Sequence, residues 1–164
     1  MMKRLLCCLL LTSVFFCYDP LSASAGEPGT FKTRFTTVYY SSEKDMNDFI
    51  WRLGGEKAAL PAHTELASNR IDRLVERVET ILDMQPKNFN INIYLHRGLL
   101  GSDRVAFYEH KTRSIHISVD YATDGVLAHE IGHAVINYHF STPLPDKMQE
   151  ILAQYVDKYL WNDY

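Results

Sequence analysis

The stretch HEIGHAVINYHF, residues 129–140, limits the fold more strictly than any other part of the sequence. His129 and His133 are four residues apart. Because four residues make a little more than one turn of a helix, both imidazoles project from the same helical face and can share one metal ion. Thr123 or Asp124 is suited to cap this helix. A catalytic Zn²⁺ takes three protein ligands, so the sequence predicts a helix here and a second element that supplies the third ligand.

Two residues are candidates for that third ligand. His139 would complete HExxHxxxxxH, which differs at Ile136 from HExxHxxGxxH, a motif whose glycine lets the chain leave the helix with φ > 0. A β-branched residue resists that conformation. If the helix continues past Ile136, His139 lies about 9 Å beyond His133 along the axis and about 120° around it. Glu150 lies on a second predicted helix that can pack antiparallel on the first, so Glu150 is the favoured third ligand.

Glu130 follows the first histidine of the motif and is placed to reach a water molecule rather than the metal. As a general base it would take a proton from a zinc-bound water, and it would then deliver that proton to a leaving amine. The predicted centre is one Zn²⁺ bound by His129, His133 and Glu150, with Glu130 as the catalytic residue. This pattern favours hydrolysis of peptide bonds.

The last two predicted helices carry a resemblance to a known family. HEIGHAVI, a proline-containing turn and MQEILAQYV are together similar to the glutamate-zincins, in particular the small secreted peptidase MA-like proteins. Glu150, Ala153 and Tyr155 match the second motif of that family, and Ile151 replaces its usual glycine. The resemblance implies an α+β, zincin-like single domain. It has a small mixed sheet with an edge strand beside the active-site helix, and a glutamate-bearing helix follows.

The resemblance also implies where a substrate lies. In this family the strand before the metal helix is the edge of the sheet, and an extended substrate pairs with it. Carried over, residues 114–120 would bind a peptide or protein through backbone hydrogen bonds. The residues concerned are Ile115, His116, Ile117 and Ser118.

Some relatives place an aspartate four residues after the ligand glutamate, where it holds a zinc-bound histidine. This chain has Gln154 at that position, and an amide accepts a hydrogen bond without adding charge. A tyrosine or histidine often stabilises the oxyanion in these enzymes. The candidates are Tyr155, His139, Tyr138, Tyr159 and His110.

The remaining pattern predicts the scaffold. Alternating or β-branched and aromatic residues predict strands over residues 31–40, 89–96, 105–109 and 114–120, the last two as a hairpin. Apolar residues at helical spacing predict helices over residues 42–53, 64–84, 124–138 and 146–159. The apolar stripe expected to pack the last helix consists of Met148, Ile151, Leu152, Tyr155 and Tyr159.

The first 25 residues are predicted to be a cleavable secretory signal. Lys3 and Arg4 precede an apolar run of thirteen residues, and Ala23-Ser24-Ala25 offers a cleavage site. A membrane span needs about 20 residues, so we expect no stable anchor after cleavage. The domain at 26–164 is expected to be secreted or periplasmic. All cysteines lie in the signal, which excludes disulfides from this domain.

Residues 26–164 keep 15 basic and 19 acidic residues without a basic patch, which disfavours a nucleic-acid partner. Two functional classes stay open. One is a secreted zinc peptidase. The other is a catalytically inactive or autoinhibited, zinc-stabilised peptide-binding module, in which the aromatic tail YLWNDY folds over the metal. Glu130 favours catalysis, because an inactive module does not need a proton-transfer residue. The sequence does not indicate an oligomeric state.

Overall fold

Alternating apolar and polar residues along one central strand determine which face of the sheet is buried. In the computed structural model, which describes residues 28–54 and 64–162, Ile91, Ile93 and Leu95 are at most 4% exposed. The residues between them point to the opposite face and are half-buried or exposed. The helices pack against the isoleucine face. One face of the sheet is therefore core, and the other meets solvent.

The chain forms a mixed five-stranded sheet and four helices, as the α+β prediction requires. In chain order the elements are β1 (Gly29–Lys32), β2 (Thr36–Tyr40), α1 (Glu43–Gly54), α2 (Thr64–Leu82), β3 (Ile91–His96), β4 (Ala106–Glu109), β5 (Ser114–Ser118), α3 (Asp124–His139) and α4 (Asp146–Tyr159). The strand order is β1-β2-β3-β5-β4. The two central pairings, β2 with β3 and β3 with β5, are parallel, and the outer two are antiparallel.

The single strand predicted over residues 31–40 is wrong, because the chain reverses within it. β1 and β2 form an antiparallel hairpin in which Phe31 lies opposite Val38. The hydroxyl of Thr33 accepts hydrogen bonds from the backbone N–H groups of Phe35 at 3.1 Å and Thr36 at 3.0 Å. A threonine side chain that satisfies nearby backbone donors stabilises a turn in place of a continuous strand.

The prediction that residues 114–120 form the edge of the sheet is also wrong. β5 pairs with β3 on one side and with β4 on the other, so β4 is the edge strand. A short 3₁₀ turn, Val119–Tyr121, replaces the predicted end of the strand. The predicted hairpin itself is confirmed. The sequences of its two strands, AFYE and SIHIS, do not reveal which of them meets β3.

Helix α3 extends to His139 and thus continues past Ile136, as its β-branched side chain predicts. The hydroxyl of Thr123 caps its first turn by accepting from the N–H of Val126 at 3.2 Å. The small residue Gly132 faces Ala153 on α4, and a Cβ added at Gly132 would lie 3.7 Å from the Ala153 Cα. Small residues at the crossing allow the two helices to approach closely.

This close crossing rotates α4 away from the predicted packing stripe. Ala153, Val156 and Leu160 are buried, whereas Met148, Ile151 and Tyr155 are 50%, 57% and 46% exposed. The orientation of α4 therefore follows the close contact at small residues and leaves several of its larger apolar side chains exposed.

The predicted signal, residues 1–25, lies outside the described residues. Within the described part of the chain, no helix combines the length and apolar character needed to cross a bilayer.

Candidate metal centre

The three predicted ligands, His129, His133 and Glu150, lie together between α3 and α4 and form what we call the ligand cluster. One donor atom from each residue lies within 4.8 Å of the others. The Glu150 Oε2 is 3.8 Å from the His129 Nε2 and 3.6 Å from the His133 Nε2. Tetrahedral Zn²⁺ with bonds of about 2.0–2.2 Å separates its donor atoms by about 3.3–3.6 Å. The separations of the Glu150 oxygen from the two imidazole nitrogens are therefore close to the spacing that such an ion requires.

Hydrogen bonds of Asn137 hold the start of α4 against α3. The Asn137 amide donates to the carbonyl of His133 at 2.8 Å and to the Gln149 Oε1 at 2.7 Å. The Gln149 amide in turn donates to the carbonyl of Leu144 in the connecting loop at 2.7 Å. These bonds fix the turn of α4 that carries Glu150. Neither Asn137 nor Gln149 was predicted, because neither belongs to a recognisable motif.

Asp157 fixes the orientation of one ligand. Its Oδ2 lies 2.9 Å from the His129 Nδ1. If the carboxylate accepts the Nδ1 proton, the Nε2 of His129 is left free to face the ligand cluster, as in many metal sites. Gln154, predicted for this role, instead donates to the Glu150 Oε1 at 2.9 Å. Asp157 follows Glu150 by seven residues, or two helical turns, so this spacing could have pointed to it.

Glu130 lies beside the cluster and is only 8% exposed. Burial raises the pKa of its carboxyl to about 7, against the opposing effects of His129 and of the Tyr108 backbone N–H. A cation bound nearby favours the ionised carboxylate. The side chain lies between α3 and β4, where it can touch a molecule bound in the cleft.

The free side of β4 faces this cleft. The Ser118 N–H donates to the carbonyl of Val105 at 2.8 Å, so Val105 points toward β5. Residues along an antiparallel strand alternate in this respect, and Ala106 and Tyr108 therefore direct their main-chain groups away from β5. The Tyr108 N–H is directed at Glu130, so an extended peptide could pair with the Ala106 N–H and with the carbonyls of Ala106 and Tyr108.

The predicted substrate contacts on β5 are wrong. Ile115, Ile117 and Ser118 are fully buried, and their strand has partners on both sides. His116 lies on the opposite face of the sheet, stacked against Tyr94 with ring centroids 5.1 Å apart.

Two cavities meet at His129 and Glu130, which line both of them. The polar cavity, of about 470 Å³, extends along the C-terminal half of α3 and includes Asn137, Gln149 and His110. The apolar cavity, of about 440 Å³, extends toward the start of α3. Its apolar lining consists of Val105, Val126, Leu160 and Trp161. Together the cavities form a cleft that runs between β4 and α4.

The five candidates for stabilising the oxyanion differ in whether they line the cleft. His139 is exposed at the end of α3 and contacts Phe140, and Tyr155 is exposed and packs on Tyr159. Neither lines the cleft. Tyr138 donates to the carbonyl of Asn90 at the sheet. Of the five candidates, His110 lines the polar cavity.

One cleft is thus lined by the three predicted metal ligands and the predicted catalytic glutamate: His129, His133, Glu150 and Glu130. The structure adds Asp157 as a partner of the predicted ligand His129 and β4 as the free edge. Neither a protein-family model, nor a curated protein, nor a solved structure matches the chain.

Proposed function

We propose that the protein is an exported zinc-dependent peptidase of the glutamate-zincin type, with a zincin-like fold. One observation carries the proposal. The donor atoms of His129, His133 and Glu150 lie within 4.8 Å of one another, and a buried glutamate, Glu130, borders the same cleft.

The donor set suits Zn²⁺. Two imidazole nitrogens and one carboxylate oxygen make a His₂Glu site, and such catalytic sites keep a fourth position open. When bound, Zn²⁺ supplies Lewis acidity, which makes water nucleophilic at neutral pH and polarises a carbonyl. The cleft beside His129 and His133 leaves room for a substrate at that position.

Residues of the protein would bind the substrate, transfer protons and orient His129. The Ala106 N–H and the carbonyls of Ala106 and Tyr108 would pair with an extended peptide and hold its scissile bond over the cluster. Glu130 would accept a proton from the attacking water and return it to the leaving amine. Asp157 would hold the His129 ring, since its carboxylate lies 2.9 Å from the Nδ1.

Burial of Glu130 favours this function over a binding module that only uses zinc for stability. Removing a carboxyl group from water costs stability, and for Glu130 burial outweighs the opposing effects of His129, the Tyr108 N–H and Arg104 on its pKa. A structural zinc site has no need of such a buried group. Within the described part of the tail expected to cover the metal, Trp161 lines the apolar cavity and is absent from the lining of the polar cavity.

The test compares Glu130→Gln with Glu43→Gln, a control at an exposed glutamate of α1. We expect all proteins to bind one Zn²⁺, and Glu130→Gln to lose about 100- to 10,000-fold of the activity against a peptide library. Equal activity in Glu130→Gln and wild type would contradict the proposal. Zinc-loaded protein that binds peptides but cleaves none would support the binding module instead.

A further inference from the structure

The open face of the sheet carries one row of aromatic side chains that crosses four strands. Tyr39 on β2 lies opposite Tyr94 on β3. Tyr94 in turn lies opposite His116 on β5, and His116 lies opposite Phe107 on β4. Ring centroids of neighbours along the row are 4.7, 5.1 and 4.8 Å apart, and the planes of each pair are inclined by 14°. The Arg104 guanidinium, 4.5 Å from the Phe107 centroid, ends the row on the β4 side.

The other end of the row borders a third cavity, which we call the tyrosine cavity. The residue opposite Tyr39 on β1 is Thr30, whose small side chain cannot stack on the Tyr39 ring as another ring would. The tyrosine cavity, of about 300 Å³, is lined by Tyr39 and Tyr94 of the row together with Thr30, Ser41 and His96. This volume is at the lower end of the range for small-ligand sites, about 300–1,000 Å³.

The lining of the tyrosine cavity offers hydrogen-bonding groups without charge. Among the described residues that line it, none is a lysine, arginine, aspartate or glutamate. Burial, together with the nearby His116, lowers the pKa of His96, so the His96 imidazole is neutral at pH 7. Within residues 28–54 and 64–162, the hydroxyls of Tyr39 and Tyr94 have no hydrogen-bond partner in the protein. Each hydroxyl can therefore donate a hydrogen bond to a ligand and accept one from it.

These properties favour one ligand chemistry. A phosphate or carboxylate group would find no cation in the lining, and a purely apolar ligand would leave the tyrosine hydroxyls unpaired. A pyranose with equatorial hydroxyls presents C–H groups on both faces of its ring, and these can pack on an aromatic side chain. Its hydroxyls both donate and accept hydrogen bonds, as the cavity requires. A neutral sugar therefore matches both the rings and the polar groups.

We propose that the tyrosine cavity is a carbohydrate-binding site, that it takes a neutral pyranose unit with equatorial hydroxyls from a glycan, and that Tyr39 and Tyr94 are the residues on which the sugar packs. The helices that carry the ligand cluster lie on the opposite face of the sheet. The sugar site is therefore separate from the metal centre, and it does not depend on the proposed peptidase function.

The test titrates the ¹⁵N-labelled protein with two neutral tetrasaccharides, cellotetraose and tetra-N-acetylchitotetraose. At least one of them should cause saturable shifts in the amide signals of Tyr39, Tyr94 and His96, with or without EDTA. Tighter binding of the second compound would identify an acetamido sugar as the preferred unit, and tighter binding of the first an unsubstituted one. Tetragalacturonate and oligothymidylate, which are anionic, should bind at least about 10-fold more weakly, because the lining offers them no cation.

Variants of Tyr39 separate the two contributions to binding. Tyr39→Ala should weaken binding of the tighter tetrasaccharide by about 10-fold through loss of the ring. Tyr39→Phe keeps the aromatic row intact and should weaken it by about 3-fold through loss of the hydroxyl. The matched control is Tyr155→Ala on α4, on the other side of the sheet, where the side chain is 46% exposed; it should bind as wild type does.

Three results would overturn the sugar site: no saturable binding of either tetrasaccharide, an affinity unchanged in both Tyr39 variants, or shifts confined to the cleft around His129. Binding of tetragalacturonate or oligothymidylate as tight as that of the neutral compounds would also overturn it, because an anionic ligand would then fit as well.

Discussion

Two pairs of histidines lie close together in this protein, and they differ in what surrounds them. His129 and His133 on α3 have ring centroids 5.0 Å apart, and His96 and His116 on the open face of the sheet have centroids 5.2 Å apart. In the α3 pair the rings are inclined at 73°. In the sheet pair they are nearly parallel, at 25°.

The sheet pair is satisfied without a metal. The His96 Nε2 lies 3.0 Å from the His116 Nδ1, so one nitrogen donates to the other. His116 is also stacked against Phe107, with ring centroids 4.8 Å apart. By contrast, Glu150 lies within 3.8 Å of both α3 histidines. Among the described residues, the only cluster of three or more metal-binding side chains is the one that contains Glu150. Proximity of two imidazoles is therefore not enough to form a candidate metal site. The third donor, Glu150, distinguishes the α3 pair from the sheet pair.

The largest expected difference is in zinc affinity. His133→Ala should weaken Zn²⁺ binding by more than about 100-fold, because loss of a ligand exceeds the 10- to 100-fold cost of losing an outer partner. His116→Phe on the sheet should leave the affinity unchanged. Competition with a chromophoric chelator measures both. Equal losses in the two variants would remove the distinction between the pairs.

The third donor gives the next comparison. Glu150→Ala should weaken zinc binding by about 100-fold, again judged against the cost of an outer partner, whereas His139→Ala should have no effect because His139 is exposed at the end of α3. The same chelator assay applies. A loss of zinc affinity in His139→Ala would identify His139 as the third ligand instead of Glu150.

Asp157 should have a smaller effect. Asp157→Asn keeps the size of the side chain and removes its charge, and we expect zinc affinity to fall about 10-fold. Asp83→Asn, at an exposed position after α2, is the matched control and should bind zinc as wild type does. An unchanged affinity in Asp157→Asn would show that its contact with His129 does not tune the metal centre.

The smallest expected effect is the contribution of the sheet pair to the folding stability of the protein at low pH. Burial lowers the pKa values of His96 and His116 below 6.5, and their proximity lowers that of His96 further, while Glu109 opposes the shift at His116. The unfolded chain therefore binds more protons below about pH 6.5, so folding stability falls as the pH decreases through that value. His116→Phe should flatten this dependence in urea unfolding with EDTA present, where His133 contributes equally to both proteins. The same pH dependence of the unfolding free energy in wild type and His116→Phe would contradict this prediction.

The two-histidine part of the candidate metal centre could be predicted from the sequence because it depends on spacing within a helix. The four-residue separation of His129 and His133 places both rings on one face whatever the rest of the fold does. Ile136 likewise predicted that α3 continues and leaves His139 out of reach, and the structure has α3 ending at His139.

The sequence predicted that α4 brings Glu150 to the two histidines, but it did not predict how α4 is oriented or which strand forms the edge of the sheet. The orientation of α4 follows from the contact of Gly132 with Ala153 and Val156, and the exposed Met148 and Ile151 pointed to a different face. The contact of Asp157 with His129 depends on that orientation. The edge strand was misplaced because it was taken from the family resemblance, and only the pairing with β3 decides which strand of the β4–β5 hairpin is inside.

The most direct test of the metal centre is the position of the ion itself. Crystals of the zinc-loaded protein, measured at the zinc absorption edge, should show one anomalous peak among the His129 Nε2, the His133 Nε2 and the Glu150 Oε2. A peak at His139, a peak between His96 and His116, or no peak at all would contradict this account.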